Sequence, residues 1–127
     1  MPTILLVDDS DVVRKSASRC LRWRGFEHDE AASADEALSL IVANGDKIDL
    51  MLTDLVLPAM GGTLLVAEAR RLVPTLRTAY MTGHLGRSAR CEIEIDEDET
   101  VLIKPFTPNT LEERVREALA YAECTNS

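Results

Sequence analysis

Several polar residues of this sequence come directly after short apolar stretches. The stretches are residues 3–7, 48–53, 76–81 and 101–103, and they are followed by Asp8 and Asp9, by Asp54, by Thr82 and by Lys104, respectively. Three carboxylates brought to one point would repel one another unless a cation is present. Hard oxygen ligands with open positions for water suit Mg²⁺. If the fold brings these residues together, we expect a magnesium site with a lysine nearby.

Each of these residues also has an ordinary structural explanation. An aspartate at a strand end usually forms a turn or caps a helix, and Asp8 and Asp9 could simply cap the helix that follows them. Lys104 alone would be a solvated lysine, and Thr82 alone would be a turn hydroxyl. Their occurrence together, each at the end of an apolar stretch, is what favours a functional site.

The elements that would position these residues follow from the spacing of apolar residues. The predicted strands are residues 3–7, 26–31, 48–53, 76–81 and 101–103, and the predicted helices include residues 35–43, 63–72 and 108–122. Ser10 can cap a further helix that ends before Gly25, whereas residues 83–99 contain little good helix. The strand at 26–31 is interrupted by His28, Asp29 and Glu30, so an edge position suits it.

The helix after Ser10 should be amphipathic. The residues expected to face the core are Val13, Ala17, Cys20 and Leu21. The residues expected to be largely solvated are Arg14, Lys15, Arg19 and Arg22.

Five strands alternating with five helices predict an α/β fold with a largely parallel sheet, because parallel strands need helical crossovers. In such sheets the ligand site lies at the carboxyl ends of the strands, near the point where the strand order reverses. Asp8, Asp9, Asp54, Thr82 and Lys104 are therefore expected to converge on one edge of the sheet.

Length and composition limit the function classes. The chain has 127 residues, 46% of them hydrophobic, which fits one compact domain over residues 1–127 with a real core. Its formal net charge of -8 has the wrong sign for direct binding to DNA or RNA. Cys20, Cys91 and Cys124 lack metal-ligand spacing and are expected to be reduced. No apolar run reaches the length of a membrane span, and no signal-type segment is present, so we expect no membrane association and a cytoplasmic location.

The motifs together resemble the receiver domains of bacterial two-component response regulators across essentially the whole chain. The resemblance rests on LLVDDS with Asp8 and Asp9, DLVLPAMGG from Asp54, YMTG with Thr82, and IKPF with Lys104. It implies a doubly wound, flavodoxin-like five-stranded parallel sheet of order 2-1-3-4-5 with helices on both faces. It also implies a domain that catalyses its own phosphorylation and dephosphorylation without being a conventional turnover enzyme.

The resemblance implies that Asp54 accepts a phosphoryl group from the phosphohistidine of a histidine kinase or a histidine phosphotransfer protein. A carboxylate can form such an acyl phosphate as a covalent intermediate. Asp9 and Asp54 would be direct Mg²⁺ ligands together with the backbone carbonyl of Val56, and Asp8 would act mainly through a bound water.

Three further positions receive roles from the same resemblance. Lys104 would neutralise charge on the phosphoryl oxygens, so that catalysis is mostly positioning and electrostatics. The Thr82 hydroxyl and the Gly83 N–H would bind a phosphoryl oxygen and draw their loop inward, and glycine would permit the close backbone approach. Pro105 is expected to follow a cis peptide bond that aims Lys104.

Some positions depart from the family pattern. Val101 stands where receivers commonly carry an aromatic residue that moves with the threonine, so that coupling is not expected here. Val56 cannot orient a water molecule, which predicts a rather long-lived phosphoryl state of Asp54. Replacement of Val56 by Asn should hasten loss of the phosphoryl group. Residues 83–99 are unlike the usual helix at this place, His84 is expected to be a rim residue, and residues 96–99 form either a solvated loop or a selector for a basic partner surface.

Two functions from different classes remain open. One is a phosphorylation-controlled signalling switch, and the other is a constitutive interaction module, a pseudo-receiver that keeps the fold without the chemistry. A flavodoxin-like cofactor binder is excluded, because Asp8 and Asp9 would repel its phosphate. The sequence leaves open whether the chain acts alone or belongs to a hybrid kinase or larger regulator with an output domain, and it does not identify the kinase, the downstream protein or the oligomeric state.

Overall fold

The fold was analysed in a computed structural model, which describes residues 2–57, 60–83 and 100–125. The strands are β1 (Thr3–Val7), β2 (Glu27–Ala31), β3 (Leu50–Asp54), β4 (Arg77–Thr82) and β5 (Thr100–Ile103). The α-helices of the described residues are α1 (Asp11–Trp23), α2 (Ala34–Asn44), α3 (Gly62–Leu72) and α4 (Pro108–Thr125). The predictions for His84, Cys91 and residues 96–99 lie outside the described residues, as does the side chain of Cys124.

The strands form one five-stranded sheet of order β2-β1-β3-β4-β5, in which all neighbouring pairs are parallel. This is the predicted doubly wound architecture, and the expectations of a parallel sheet and of an edge position for β2 are both confirmed. The strand order reverses between β1 and β3. The functional site is expected at the carboxyl ends of these two strands.

Two apolar layers cover the faces of the sheet because successive strand residues point to opposite sides. Leu5 and Val7 of β1 face the layer that includes α2 and α3, whereas Ile4 and Leu6 face the layer that includes α1 and α4. All four residues are fully buried. Burial of one such side chain stabilises the fold by about 1.5–3 kcal/mol, so β1 is anchored firmly at the centre of the sheet.

The ends of α1 follow from local chemistry. The Val13 N–H donates to the Ser10 side-chain oxygen at 3.4 Å, which is the predicted N-terminal cap. After the last turn, Gly25 adopts a φ of 86°, a conformation that glycine tolerates best. Of the residues predicted to face the core, Ala17, Cys20 and Leu21 are buried and Val13 is partly buried. Cys20 is a free thiol, as predicted.

The end of α2 leads into a short 3₁₀ turn. Gly45 follows the helix with a right-handed φ of -55° and begins a short 3₁₀ turn, Gly45–Lys47, before β3 starts. A Cβ at Gly45 would lie 2.6 Å from the Val73 Cγ2 atom, so close packing is the physical reason for glycine here.

No helix of the described residues combines the length and apolar character needed to cross a membrane.

Candidate functional site

The carboxyl edge of the sheet brings the predicted site residues together. Asp8 and Asp9 follow β1, Asp54 ends β3, Thr82 ends β4, and Lys104 follows β5. The parallel register places these strand ends side by side, with Asp54 opposite Met81 and Thr82 opposite Ile103. The convergence predicted from the sequence is therefore present in the structure.

The three carboxylates form a compact cluster. Asp8, Asp9 and Asp54 each offer an oxygen, and these atoms lie within 4.8 Å of one another. Asp8 is fully buried, Asp54 is 13% exposed at its side chain, and Asp9 is exposed. Carboxylate oxygens gathered at this separation with one side open to solvent fit a hard cation that keeps some of its water, as Mg²⁺ does.

Lys104 bridges two of these carboxylates. Its Nζ donates to Asp8 Oδ2 at 2.9 Å and to Asp54 Oδ2 at 3.2 Å. Burial alone would lower the pKa of the Lys104 ammonium, but the hydrogen bond to Asp8 and the negative charges of Asp54 and Asp8 outweigh it and raise the pKa. Lys104 is therefore held in its charged form beside the nucleophile candidate.

Asp54 has both carboxylate oxygens occupied by donors. Oδ2 accepts from Lys104, and Oδ1 accepts from the Val56 N–H at 3.2 Å. Burial raises the pKa of the Asp54 carboxyl, and the nearby charge of Asp8 acts in the same direction, while Lys104 and the Val56 N–H oppose them without cancelling the shift. The ionised carboxylate is more basic than an exposed aspartate.

Thr82 ends the strand beside Asp54, and Gly83 follows it. Thr82 is buried, and its backbone carbonyl accepts from the Lys104 N–H at 2.7 Å, which ties the ends of β4 and β5 together. Within the described ranges, the Thr82 hydroxyl makes no hydrogen bond. A Cβ at Gly83 would meet nothing within 4 Å among the described residues, so packing against those residues does not explain glycine at this position. The peptide bond between Lys104 and Pro105 is cis, which is the isomer that the resemblance implies.

Arg14 is a site residue that the sequence analysis missed. The prediction that it is largely solvated is wrong, because its side chain is 13% exposed. Its Nη1 donates to the Asp8 carbonyl oxygen at 2.8 Å, and the guanidinium also pairs with Asp11 and Glu30. The helical periodicity of α1 placed Arg14 on the polar face, but it could not show that β2 covers that face.

Gly62 positions the segment after Asp54. Its N–H donates to the Leu55 carbonyl oxygen at 2.8 Å. A Cβ at Gly62 would lie 2.4 Å from the Asp54 carbonyl oxygen and 2.9 Å from Leu55 Cα. The start of α3 therefore approaches the backbone of the site residue so closely that only glycine fits. The helix predicted at residues 63–72 left Gly62 outside it, and no sequence pattern indicated this close approach.

His28 on β2 lies outside the carboxylate cluster, as expected for a structural residue. Its Nε2 is 2.6 Å from the hydroxyl of buried Ser18, and this hydroxyl also donates to Glu30 at 3.2 Å. The Ser18 hydroxyl thereby links His28 and Glu30 where α1 packs on β2.

A largely apolar groove adjoins the site. It has a volume of about 300 Å³, and its lining residues are Val12, Val13, Ser16, Gly83, Lys104, Pro105 and Phe106. Val12, in the first turn of α1, is 80% exposed. Lys104, which contacts Asp8 and Asp54, thus also lines an apolar groove at this edge of the sheet.

Comparisons with known proteins agree on one family. The model of the response regulator receiver domain matches residues 4–116. The sensor kinase CckA of Brucella abortus (strain 2308) is 34% identical over 117 residues, which are 92% of this chain and 12% of the kinase. The response regulator receiver protein CpdR of the same organism is 30% identical over 125 residues, which are 96% of this chain and 100% of CpdR.

A solved structure gives the same result. The crystal structure of a response regulator receiver domain protein from Clostridium thermocellum matches with a TM-score of 0.83 at 25% identity, covering 98% of this chain and 99% of that chain. Of the two curated relatives, this chain covers the full length of CpdR but only 12% of the sensor kinase CckA.

Proposed function

The chain belongs to the response regulator receiver domain family of two-component signalling, and from that membership we propose that it is a phosphorylation-controlled switch. In this proposal residues 1–127 form one receiver domain, and Asp54 accepts the phosphoryl group of a phosphohistidine. The observation that carries the proposal is the position of Asp54, with an oxygen within 4.8 Å of oxygens from Asp8 and Asp9 and 3.2 Å from the ammonium of Lys104.

The proposed reaction is a displacement at phosphorus. A carboxylate oxygen of Asp54 forms the new O–P bond, the P–N bond to the histidine breaks, and its electron pair returns to the imidazole nitrogen. Asp54 is well suited to the attack, because burial raises the pKa of its carboxyl and makes the ionised form more basic. Lys104 lies within reach of the oxygen that would carry the phosphoryl group.

The residues present fit a divalent cation. Asp9 and Asp54 would bind Mg²⁺ directly with the Val56 carbonyl, and Asp8 would act through a bound water. Bound there, the ion would neutralise charge on the carboxylates and on the transferred phosphoryl oxygens. Lys104 already neutralises part of the carboxylate charge, because it contacts both Asp8 and Asp54.

Thr82 and Gly83 would bind the product. The Thr82 hydroxyl, which has no hydrogen-bond partner among the described residues, and the Gly83 N–H would donate to a phosphoryl oxygen. Val56 is 63% exposed and carries no polar group at the mouth of the site, which supports slow attack by water and a long-lived phosphoryl state. The Val56→Asn variant should then lose its phosphoryl group faster than the wild type.

Receiver membership implies interaction with histidine kinases or histidine phosphotransfer proteins, and we propose that such a partner is the phosphodonor here. The apolar groove beside Lys104 supports this, since a donor protein must bring its phosphohistidine to this edge of the sheet. Three further points stay predictions. They are an output domain or downstream protein, the absence of direct nucleic-acid binding, and a cytoplasmic location without membrane association.

A constitutive interaction module is the second candidate. The observation that favours it is Val101, which is partly buried against the core where an aromatic residue would couple phosphorylation to the surface. A pseudo-receiver would keep the fold and bind its partner without phosphorylation. It would not require the carboxylate cluster to accept a phosphoryl group.

The deciding experiment is incubation of the chain with a small phosphodonor and Mg²⁺, followed by intact-mass measurement. One phosphoryl adduct is expected in the wild type and none in the Asp54→Ala variant. No adduct would contradict the proposal and leave the pseudo-receiver as the better explanation. An adduct that survives in Asp54→Ala would contradict Asp54 as the phosphoryl acceptor.

A further inference from the structure

Asp9 differs from the other two carboxylates of the cluster in how it is held. It is the exposed member of the carboxylate cluster, and within the described residues its carboxylate makes no hydrogen bond or ion pair. Asp8 and Asp54, in contrast, are both held by Lys104. The position of the Asp9 carboxylate therefore depends on the backbone that carries it.

That backbone is held on both sides of Asp8. The Asp8 N–H donates to the Ala31 carbonyl oxygen at 3.1 Å, which continues the pairing of β1 with β2. The Asp8 carbonyl, which belongs to the peptide group leading into Asp9, accepts from Arg14 Nη1 at 2.8 Å. Arg14 is thus the side chain that fixes the plane of the Asp8–Asp9 peptide.

Arg14 is itself fixed by a chain of contacts. Its Nε lies 3.3 Å from Glu30 Oε1, and the guanidinium also pairs with Asp11 one helical turn earlier. Glu30 accepts from the buried Ser18 hydroxyl at 3.2 Å. Because the guanidinium is planar and its donors have a fixed geometry, these partners determine its orientation as well as its place.

We propose that Arg14 is a positioning residue for the cation site, which acts through the Asp8 carbonyl to aim the Asp9 carboxylate. The inference rests on the proposed function, because it takes the carboxylate cluster to bind Mg²⁺. Residues that orient metal ligands typically change metal affinity by about 10- to 100-fold when they are removed.

The sign of the effect separates positioning from simple electrostatics. A guanidinium near a cation site repels the cation, so loss of its charge alone would strengthen Mg²⁺ binding. Loss of positioning would weaken it, because Asp9 would sample orientations that do not reach the ion. A net loss of affinity in a variant without the Arg14 side chain is therefore the result that positioning requires.

The test is a calorimetric Mg²⁺ titration of the full chain. We expect Arg14→Ala to bind Mg²⁺ about tenfold more weakly than the wild type, and Arg14→Lys to recover part of the loss. Lys15→Ala removes a positive charge from an exposed residue of the same helix and should not weaken binding. Unchanged or tighter binding by Arg14→Ala would overturn the inference, whereas a wild type that binds no Mg²⁺ would overturn the proposed function.

Phosphoryl labelling distinguishes positioning from general damage. With a small phosphodonor, Arg14→Ala should need more Mg²⁺ for half-maximal labelling but should reach the wild-type rate at saturating Mg²⁺. A lower rate at every Mg²⁺ concentration would overturn the positioning role. If Arg14→Ala fails to fold, Glu30→Gln provides the second test, because it weakens the Arg14 anchor while leaving the Asp8 contact in place; the same shift in Mg²⁺ dependence, of smaller size, is expected.

Discussion

Replacing Lys104 with Met should destabilise the cation-free protein by about 2 to 3 kcal/mol. The Lys104 ammonium lies 2.9 Å from Asp8 and 3.2 Å from Asp54, and Asp8 is fully buried. At an effective dielectric constant of about 20, unit charges at such distances attract by about 5 to 6 kcal/mol per contact. Much of this attraction offsets the desolvation of the charges, so the net effect is far smaller than the attraction itself.

The expected magnitude follows from what remains after the substitution. Removing one partner of a buried ion pair typically costs about 3 to 5 kcal/mol, because an uncompensated charge stays behind. Two features reduce this cost here. Lys104 is 18% exposed, so water can reach the vacated position, and the Ser10 N–H still donates to Asp8 Oδ1 at 2.9 Å.

The assay is urea unfolding with a chelator present. With an m-value of about 1 to 3 kcal/mol per M, the expected loss lowers the unfolding midpoint by about 0.7 to 3 M. Lys15→Met makes the same substitution at an exposed position and should change stability by less than about 0.5 kcal/mol. Saturating Mg²⁺ should narrow the gap between Lys104→Met and wild type. Without the ammonium, the carboxylates of the variant should bind the cation more tightly, and tighter binding to the folded state stabilises it more.

Two results would refute this reasoning. If Lys104→Met is no less stable than Lys15→Met, the ammonium does not offset the repulsion between the carboxylates. If the gap is unchanged as the pH rises through the raised pKa of Lys104, where the ammonium loses its proton, charge is not the cause. The raised pKa of Lys104 contributes stability that is fully present below its usual value of 10.5 and is lost as the pH rises through the folded value.

Three further predictions concern the same edge of the sheet. Asp54→Asn should raise the free energy of unfolding at neutral pH without Mg²⁺, because burial raises the pKa of the Asp54 carboxyl and makes ionisation costly. Stability then falls as the pH rises through that pKa, so the gain should vanish in urea titrations below about pH 4, and a gain that persists there would contradict the assignment. Gly62→Ala should cost about 1 to 3 kcal/mol in urea unfolding, since its Cβ would lie 2.4 Å from the Asp54 carbonyl oxygen, whereas Gly83→Ala should leave the midpoint unchanged; equal effects would be inconsistent with this packing. Val12→Asp should slow phosphoryl transfer from a phosphohistidine protein about tenfold, because about 1.5 kcal/mol of valine burial against the partner would be lost. Phosphorylation by a small phosphodonor should not be slowed. Val42→Asp on α2, where Val42 is 72% exposed, is the matched control and should transfer normally.

The arrangement of the carboxylates was predictable from the sequence because each one follows a strand. Asp8 and Asp54 end apolar stretches whose parallel pairing follows from the alternation with helices, so the topology alone brings them together. The same reasoning placed Lys104, and its contact with both carboxylates then follows from charge. Strand boundaries were less accurate. β3 begins at Leu50 and not at Ile48, because the Ile48 N–H donates to the Gly45 carbonyl oxygen that begins the 3₁₀ turn.

What the sequence could not provide are contacts between elements that are distant in the chain. The periodicity of α1 showed that Arg14 lies on its polar face, but the partner that orders it, Glu30, comes from β2. Likewise, the close approach of Gly62 involves the backbone of Asp54 at the end of β3, which no pattern within α3 could indicate. In both cases the deciding interaction is tertiary, and local propensity contains no trace of it.

The composition of β2 also affects how copies of this protein meet one another. An outer strand exposes unpaired backbone groups that can recruit a strand from another molecule. Here that strand carries Glu27, Asp29 and Glu30, all exposed, so two copies approaching through these edges would set carboxylates against carboxylates. The same residues that make β2 a poor strand former thus discourage β-mediated aggregation at neutral pH. Acidification protonates these carboxylates, so the repulsion between edge strands of two copies should weaken at low pH. Aggregation through β2 should then become easier.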